Sequence, residues 1–303
     1  MHIDQLINVL ATITLFEMMV TIGLGVTFAD VVAVARNWRL VGKAAVANYV
    51  CVPAAAVALL LLFHANPYVA AGFLIAAVCP GAPYGPPFTG MAKGNVAASV
   101  GLMILLAGSS ALLAPLLLNF LLPFTLGFLP PLPPDSKPLQ IDLIKVLITL
   151  LLSQMLPLGV GLALRQWRPV LAEKMKKPAN LLSKLLNLTV VVLVLATQGH
   201  LMTEIRVSGF VGMFILLAAS WAAGWVLGGR ATGERRAMTL TTSLRNVGVG
   251  MIIAAGAFAG TPALTAVLVY GLLGVFGSLL LALRWGRTAA PDSAASPQMV
   301  MSQ

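Results

Sequence analysis

Nine runs of about 20 consecutive apolar residues, joined by short connections, leave this 303-residue chain one kind of fold. Lipid supplies no partner for a backbone N–H or C=O, so each run has to close its own hydrogen bonds as an α-helix. The runs fall at about 5–28, 41–63, 67–90, 95–122, 141–164, 180–201, 207–229, 236–259 and 262–285. With 59% apolar and only 9% charged residues, the chain is expected to be an all-α integral membrane protein with nine transmembrane helices. The first run lacks a basic leader and a small-residue cleavage site, so it is expected to stay as a span. No soluble domain interrupts the runs, so residues 1–287 read as one membrane domain. The segment 288–303 is small, polar and proline-containing, and reads as a disordered cytoplasmic tail.

A formal net charge of +10 raises the question of nucleic acid, but the basic residues lie in the short connections, where they set orientation instead. Counted on alternate sides of nine spans, fifteen of the nineteen Lys and Arg residues fall on one side, and only Lys137, Lys145 and Arg206 fall on the other. The positive-inside rule then puts the N-terminus outside and the C-terminus in the cytoplasm, in a cytoplasmic (inner) membrane. The remaining basic residue is Arg245, inside a span. Cys51 and Cys79 both lie within apolar runs and read as free thiols.

Two of the runs are broken. "CPGAPYGPPFTG" at 79–90 and "TTSLRNVGVG" at 241–250 bring proline, glycine and polar residues to mid-membrane depth. Irregular backbone survives there only where protein buries it or a wet cavity receives it. A pair of such breaks, one in each half of the chain, points to a transporter whose substrate site lies between them. The proline-rich connection "LPPLPPDSKP" divides four spans from five. The breaks then occupy corresponding positions of two inverted repeats, about 5–122 and 141–285, if the first repeat lacks one leading helix.

The run "AVCPGAPYGPPFTGMAKGNVAASVGLM" resembles the signature of the bile acid:sodium symporter family, in which a Cys-Pro-Gly opening leads into a crossing point and an Ala-Lys-Gly-Asn turn. "GLGVTFADVVAVARNWRLVGKAAVANYVCVP" is similar to that family's first span and loop, and "RRAMTLTTSLRNVGVGMIIA" to its second crossing helix. The resemblance covers residues 5–285. It implies an inverted-repeat fold with two broken, crossing helices in a core domain, a panel domain that moves against the core, and substrate bound near the crossing.

The resemblance also locates the family's ion ligands, and they have changed. At the first crossing a Ser-Asn pair becomes Gly85 and Pro86, and on the next helix Ser and Thr become Ser99 and Met103. At the second crossing Glu and Gln become Thr241 and Arg245, and the Gln on the helix before the first crossing becomes Asn48. The loss of the carboxylate and the arrival of a guanidinium, which repels sodium by several kcal/mol at low effective dielectric, argue against sodium coupling at these sites. Asn48, Ser99, Thr241, Thr242 and Leu244 are the residual ion-site positions, the last two through their carbonyls.

Arg245 lies about nine residues beyond the Arg235-Arg236 edge, which is about 13 Å deep if helical. One reading is a structural arginine tied to carbonyls of the crossing. The other is a permanent cation that replaces the bound ion and holds an anionic substrate, since a guanidinium can grip a carboxylate in two places. Free helix N-termini at the breaks would add positive partial charge. Glu17 is the second deep charge, and burial demands a partner or a proton: it pairs with Arg245, or it titrates and couples transport to protons, or it faces a polar seam without a transport role. Tyr84, Thr89, Gly81 and Gly85 at the first break and Asn246 beside Arg245 complete the candidate substrate site, Asn246 because it matches the family's Asn at that crossing.

The expected function is therefore secondary transport of a small or medium organic anion by alternating access, proton-coupled or facilitative. A sodium-coupled symporter and a non-transporting sensor or scaffold are the alternatives. An intramembrane enzyme would need two catalytic groups in reach, and a single deep Glu without a deep His, Asp or Lys offers none. No spacing of His, Cys and carboxylates suggests a metal site, and nothing calls for a cofactor. The partners expected are the organic anion and the bilayer, and the oligomeric state is left open.

Overall fold

The computed structural model describes residues 3–131 and 139–288. The tail residues 289–303, His2, Lys137 and most of the proline-rich connection lie outside the described residues. In chain order the helices are α1 (Ile3–Leu24), α2 (Phe28–Arg36), α3 (Trp38–Val46), α4 (Val52–Phe63), α5 (Pro67–Val78), α6 (Gly85–Met91) and α7 (Val96–Leu126), then α8 (Leu143–Leu150), α9 (Leu156–Trp167), α10 (Pro169–Gln198), α11 (Val207–Leu227), α12 (Thr232–Ser243), α13 (Val247–Ala257) and α14 (Pro262–Thr288). Two π-helical turns, Ala47–Cys51 and Leu151–Met155, join α3 to α4 and α8 to α9.

Seven helices or helix pairs among the described residues are long and apolar enough to cross a membrane, beginning with Gln5–Leu24 and ending with Pro262–Thr288. Two more apolar helices, Pro67–Val78 and Val247–Ala257, are too short to do so alone, and both are half of a broken run. Most run boundaries agree with the sequence to within a few residues. Two differ for identifiable reasons. The first helix stops at Leu24, because Thr27 caps α2 by accepting from Asp30 N–H while Asp30 accepts in return from Thr27 N–H. Those bonds from Thr27 hold the Asp30 carboxyl below its usual pKa. The inner connection before residue 180 is helical from Pro169, whose fixed φ suits a first turn, so α10 runs on below the span.

The helices fall into two groups. α1 packs chiefly on α9 and α10. A Cβ on Gly161 would stand 2.3 Å from Val20 O, and one on Gly23 would stand 2.6 Å from Leu158 O, so α1 and α9 touch backbone to backbone. The other group joins α5 to α14, α11 to α4 and α12, and α7 to both broken runs. α11 and α12 meet in the same way, since a Cβ on Gly224 would meet Thr239 Cα at 2.5 Å. Close packing of small residues is how helices associate where lipid removes the hydrophobic drive.

Candidate functional site

Both broken runs are broken where the sequence puts the prolines and the arginine, but the gaps are narrower than 79–90 and 241–250. Helix is absent only over 79–84 and 244–246, because Gly85-Pro86-Pro87 opens α6 with two residues that need no N–H partner there, and Thr241–Ser243 still completes α12. The two gaps lie side by side. Pro80 and Arg245 form an antiparallel bridge, and Asn246 N donates to Cys79 O at 2.8 Å. Each extended segment thus satisfies the other's backbone deep in the bundle, as lipid requires. Gly81 makes the approach feasible, since it holds φ +89° and a Cβ there would stand 2.4 Å from Ala107 N of α7.

Asn246, 1% exposed, is positioned by its own chemistry: its Oδ1 accepts from Val249 N at 3.3 Å to cap α13, and its Nδ2 donates to Gly81 O at 3.5 Å. This cap, and the absence of N–H on Pro86 and Pro87, corrects the expectation of two free helix N-termini at the crossing. What meets there is the opposite pole. α5 ends at Val78 and α12 at Ser243, so two helix C-terminal ends flank the Pro80–Arg245 bridge.

Arg245 itself is 4% exposed. Its Nη1 donates to Asn48 Oδ1 at 3.2 Å, and Asn48 Nδ2 in turn donates to Ala44 O and Thr242 Oγ1. The π-turn Ala47–Cys51 brings Asn48 to this place. Cys79, Tyr49 and Tyr270 are the other electrostatic neighbours of the guanidinium. Favourable helix-end dipoles contribute at most about 2 kcal/mol each, whereas leaving a buried charge uncompensated costs several. The cation is held, but not neutralised, by the described residues.

A second cluster occupies the first crossing. Thr89 Oγ1 donates to Gly85 O at 2.8 Å and to Ser99 Oγ at 3.0 Å, and a Cβ on Gly85 would touch Thr241 Cγ2 at 3.1 Å. Four of the residual ion-site positions are thus gathered in two buried groups, Ser99 and Thr241 with Thr89, and Asn48 and Thr242 with Arg245. The first contains hydroxyls already bonded to one another and to carbonyls, with no carboxylate, and the second contains a fixed cation. Neither is a good fit for a hard cation that wants several free oxygens. Leu244 is buried beside them at the end of α12.

Two cavities lie along α1, one facing the first break and the other facing α8 and the end of α13. The first, about 280 Å³, is bounded by Met18, Ile22 and Val26 of α1, by Pro83, Tyr84 and Pro87 at the first break, and by Asn180, Ser183, Lys184 and Asn187 of α10. The second, about 320 Å³, is bounded by Asn8 and Thr12 of α1, by Gln140, Asp142 and Lys145, and by Ile252 and Gly256 of α13. Because α1 is one continuous helix, they approach the seam from its opposite ends. Fully buried Leu15 lies between them, and Leu15 and Met18 sit 3.3 and 3.4 Å from where a Cβ of Gly248 would be. The six residue steps from Thr12 to Met18 make this barrier only about 9 Å long.

Of the expected substrate contacts, Tyr84 lines the first cavity, with its hydroxyl at 3.4 Å from Asn187 Nδ2. Arg245, Asn246, Thr89, Gly81 and Gly85 border neither cavity and form the buried frame behind it. Glu17 does not pair with Arg245. Its carboxylate accepts from Thr21 Oγ1 at 2.8 Å and from Ser183 Oγ, which ties α1 to α10 next to the first cavity. The pairing expectation fails because the guanidinium points into the crossing, towards Asn48. The α10 stripe of Lys176, Asn180, Lys184 and Asn187, spaced by four, four and three residues, escapes the sequence reading, which splits it between a connection and a span. Helical spacing across that false boundary is the signal that would find it.

A family model described as the Sodium Bile acid symporter family matches residues 12–205, well over half of the chain. The chain belongs to that family. It is also 25% identical, over 251 residues, to the Oryza sativa subsp. japonica protein named "Probable sodium/metabolite cotransporter BASS2, chloroplastic". That alignment takes in 81% of this chain but spans only 56% of the relative's length.

Proposed function

We propose that the chain is a secondary transporter that carries a small or medium organic anion by alternating access, without the family's sodium sites. The observation that carries this reading is the pair of cavities at opposite ends of α1, separated by the Leu15–Met18 barrier against Gly248. A carrier needs one site reachable from either side, and rocking of the α1–α9–α10 group against the crossing would open one cavity as it closes the other. In this reading each broken run, α5–α6 and α12–α13, counts as a crossing, which with the seven long spans gives nine. The halves 5–122 and 141–285 are the inverted repeats. The lysines of α10 and the basic ends of α12 and α14 belong to the cytoplasmic side, with the N-terminus outside.

Arg245 stands where the coupling ion would be and holds positive charge at the crossing permanently, which replaces sodium's role of making the site attractive to an anion. Tyr84, Asn187 and Lys184 contact the substrate, while Asn246, Thr89, Gly81 and Gly85 hold the frame. Glu17, half-buried beside the first cavity, is the candidate proton-coupling group. A sodium-coupled reading keeps two supports, the cluster of Thr89, Ser99 and Thr241 oxygens and the likeness to a rice protein named a probable sodium/metabolite cotransporter.

Uptake of organic anions into proteoliposomes under separately imposed sodium and proton gradients tests these readings. Substrate-dependent uptake that ignores a sodium gradient supports the proposal. Uptake driven by sodium replaces it with the symporter reading, and no uptake of any organic anion favours a sensor or scaffold.

A further inference from the structure

Arg245 is the only charged side chain in the buried class among the described residues. Its Nη1 donates to the neutral Asn48 Oδ1 at 3.2 Å, while its Nε and Nη2 are buried without a hydrogen bond of good distance and angle. The buried Tyr270 hydroxyl is the polar group that faces both the guanidinium and Ser220, and being neutral it brings no counter-charge. Among the described residues no carboxylate is one of the groups that act on the guanidinium, and four are engaged elsewhere: Glu17 by Thr21 and Ser183, Asp30 by Thr27, Asp142 by the start of α8, and Glu173 by Arg165. The site therefore has an excess of both positive charge and donors.

We propose that Arg245 Nε and Nη2, with the Tyr270 hydroxyl, form a binding site for a small monovalent anion, a halide such as chloride, inside the core of the bundle. A buried cation needs counter-charge and buried donors need acceptors. Water answers only the second need, and the C-terminal ends of α5 and α12 answer only part of the first. A halide answers both, because it is spherical, carries one negative charge and accepts several N–H and O–H bonds at once. The guanidinium cannot lower the demand by losing its proton. An organic carboxylate is the weaker candidate, since Arg245 borders neither seam cavity.

The test is thermal unfolding of the purified full chain in detergent, with sodium bromide replacing sodium gluconate at constant sodium and ionic strength. It reads stability in a bromide titration and not transport, so its outcome is separate from that of the uptake experiment. We expect a saturable rise in Tm with bromide that is absent in Arg245→Gln. In Tyr270→Phe, which keeps the ring packed against Phe73 at 5.6 Å, the half-saturating bromide concentration rises about fivefold, as loss of one hydrogen bond predicts. Tyr270→Phe reads the site even where Arg245→Gln does not fold. A Tm indifferent to bromide, a rise given by acetate but not bromide, or an unchanged bromide response in the variants overturns the proposal.

Discussion

Replacing Gly81 by alanine should damage the crossing more than its single methyl suggests. At φ +89° an L-residue incurs roughly 1–2 kcal/mol of backbone strain. The new Cβ would lie 2.4 Å from Ala107 N and 2.6 Å from Ala107 Cα, both backbone atoms of α7 that cannot rotate aside. Relieving that overlap moves a helix by about 1 Å and adds about 1–3 kcal/mol, as for overpacked cores. The sum is about 2–5 kcal/mol, or a fall of about 3–8 °C in Tm for a domain of this size. Gly159→Ala in α9 is the control, because no heavy atom lies within 4 Å of its would-be Cβ, and it should be neutral or slightly stabilising. Thermal unfolding of both variants in one detergent decides the matter. A Gly81→Ala protein as stable as Gly159→Ala would refute the backbone contact between the first break and α7.

Gly161→Val should lower Tm in the same assay by separating α9 from Val20 and Gly23 of α1, by about 1–3 kcal/mol. Asn246→Ala should cost about 1 kcal/mol through loss of the α13 cap, and Asn246→Ser should recover most of it; equal Tm values for the two would dismiss the capping role. Asn187→Leu removes the bond to Tyr84 across the first cavity, so half-saturation of uptake should rise about fivefold with Tm nearly unchanged. Glu17→Gln should flatten the pH dependence of uptake, and an unaltered pH profile would remove Glu17 as the coupling group.

The two breaks were legible because proline and glycine inside an apolar run have few structural readings, and because Arg245 has no interface within easy reach. The family resemblance located the same two segments. Their true width was not legible, since Gly-Pro-Pro reads as a breaker in sequence yet opens α6 in space. Nor was the role of Asn246, whose side chain answers a helix end that exists only because the chain turns at Leu244. The polar stripe on α10 was hidden by treating lysines as connection residues, although a helix carries its charged face past the membrane boundary. The direction of the Arg245 side chain depends on Asn48, 197 positions away, whose placement follows from a π-turn that composition does not announce.

The most direct measurement is thermal stabilisation by a library of carboxylates, with sodium or potassium as the cation of a halide-free buffer at matched ionic strength, for wild-type protein and Arg245→Gln. The account predicts an anion that stabilises the wild type equally in both salts and loses its effect in the variant. Stabilisation that requires sodium and survives the substitution would contradict it.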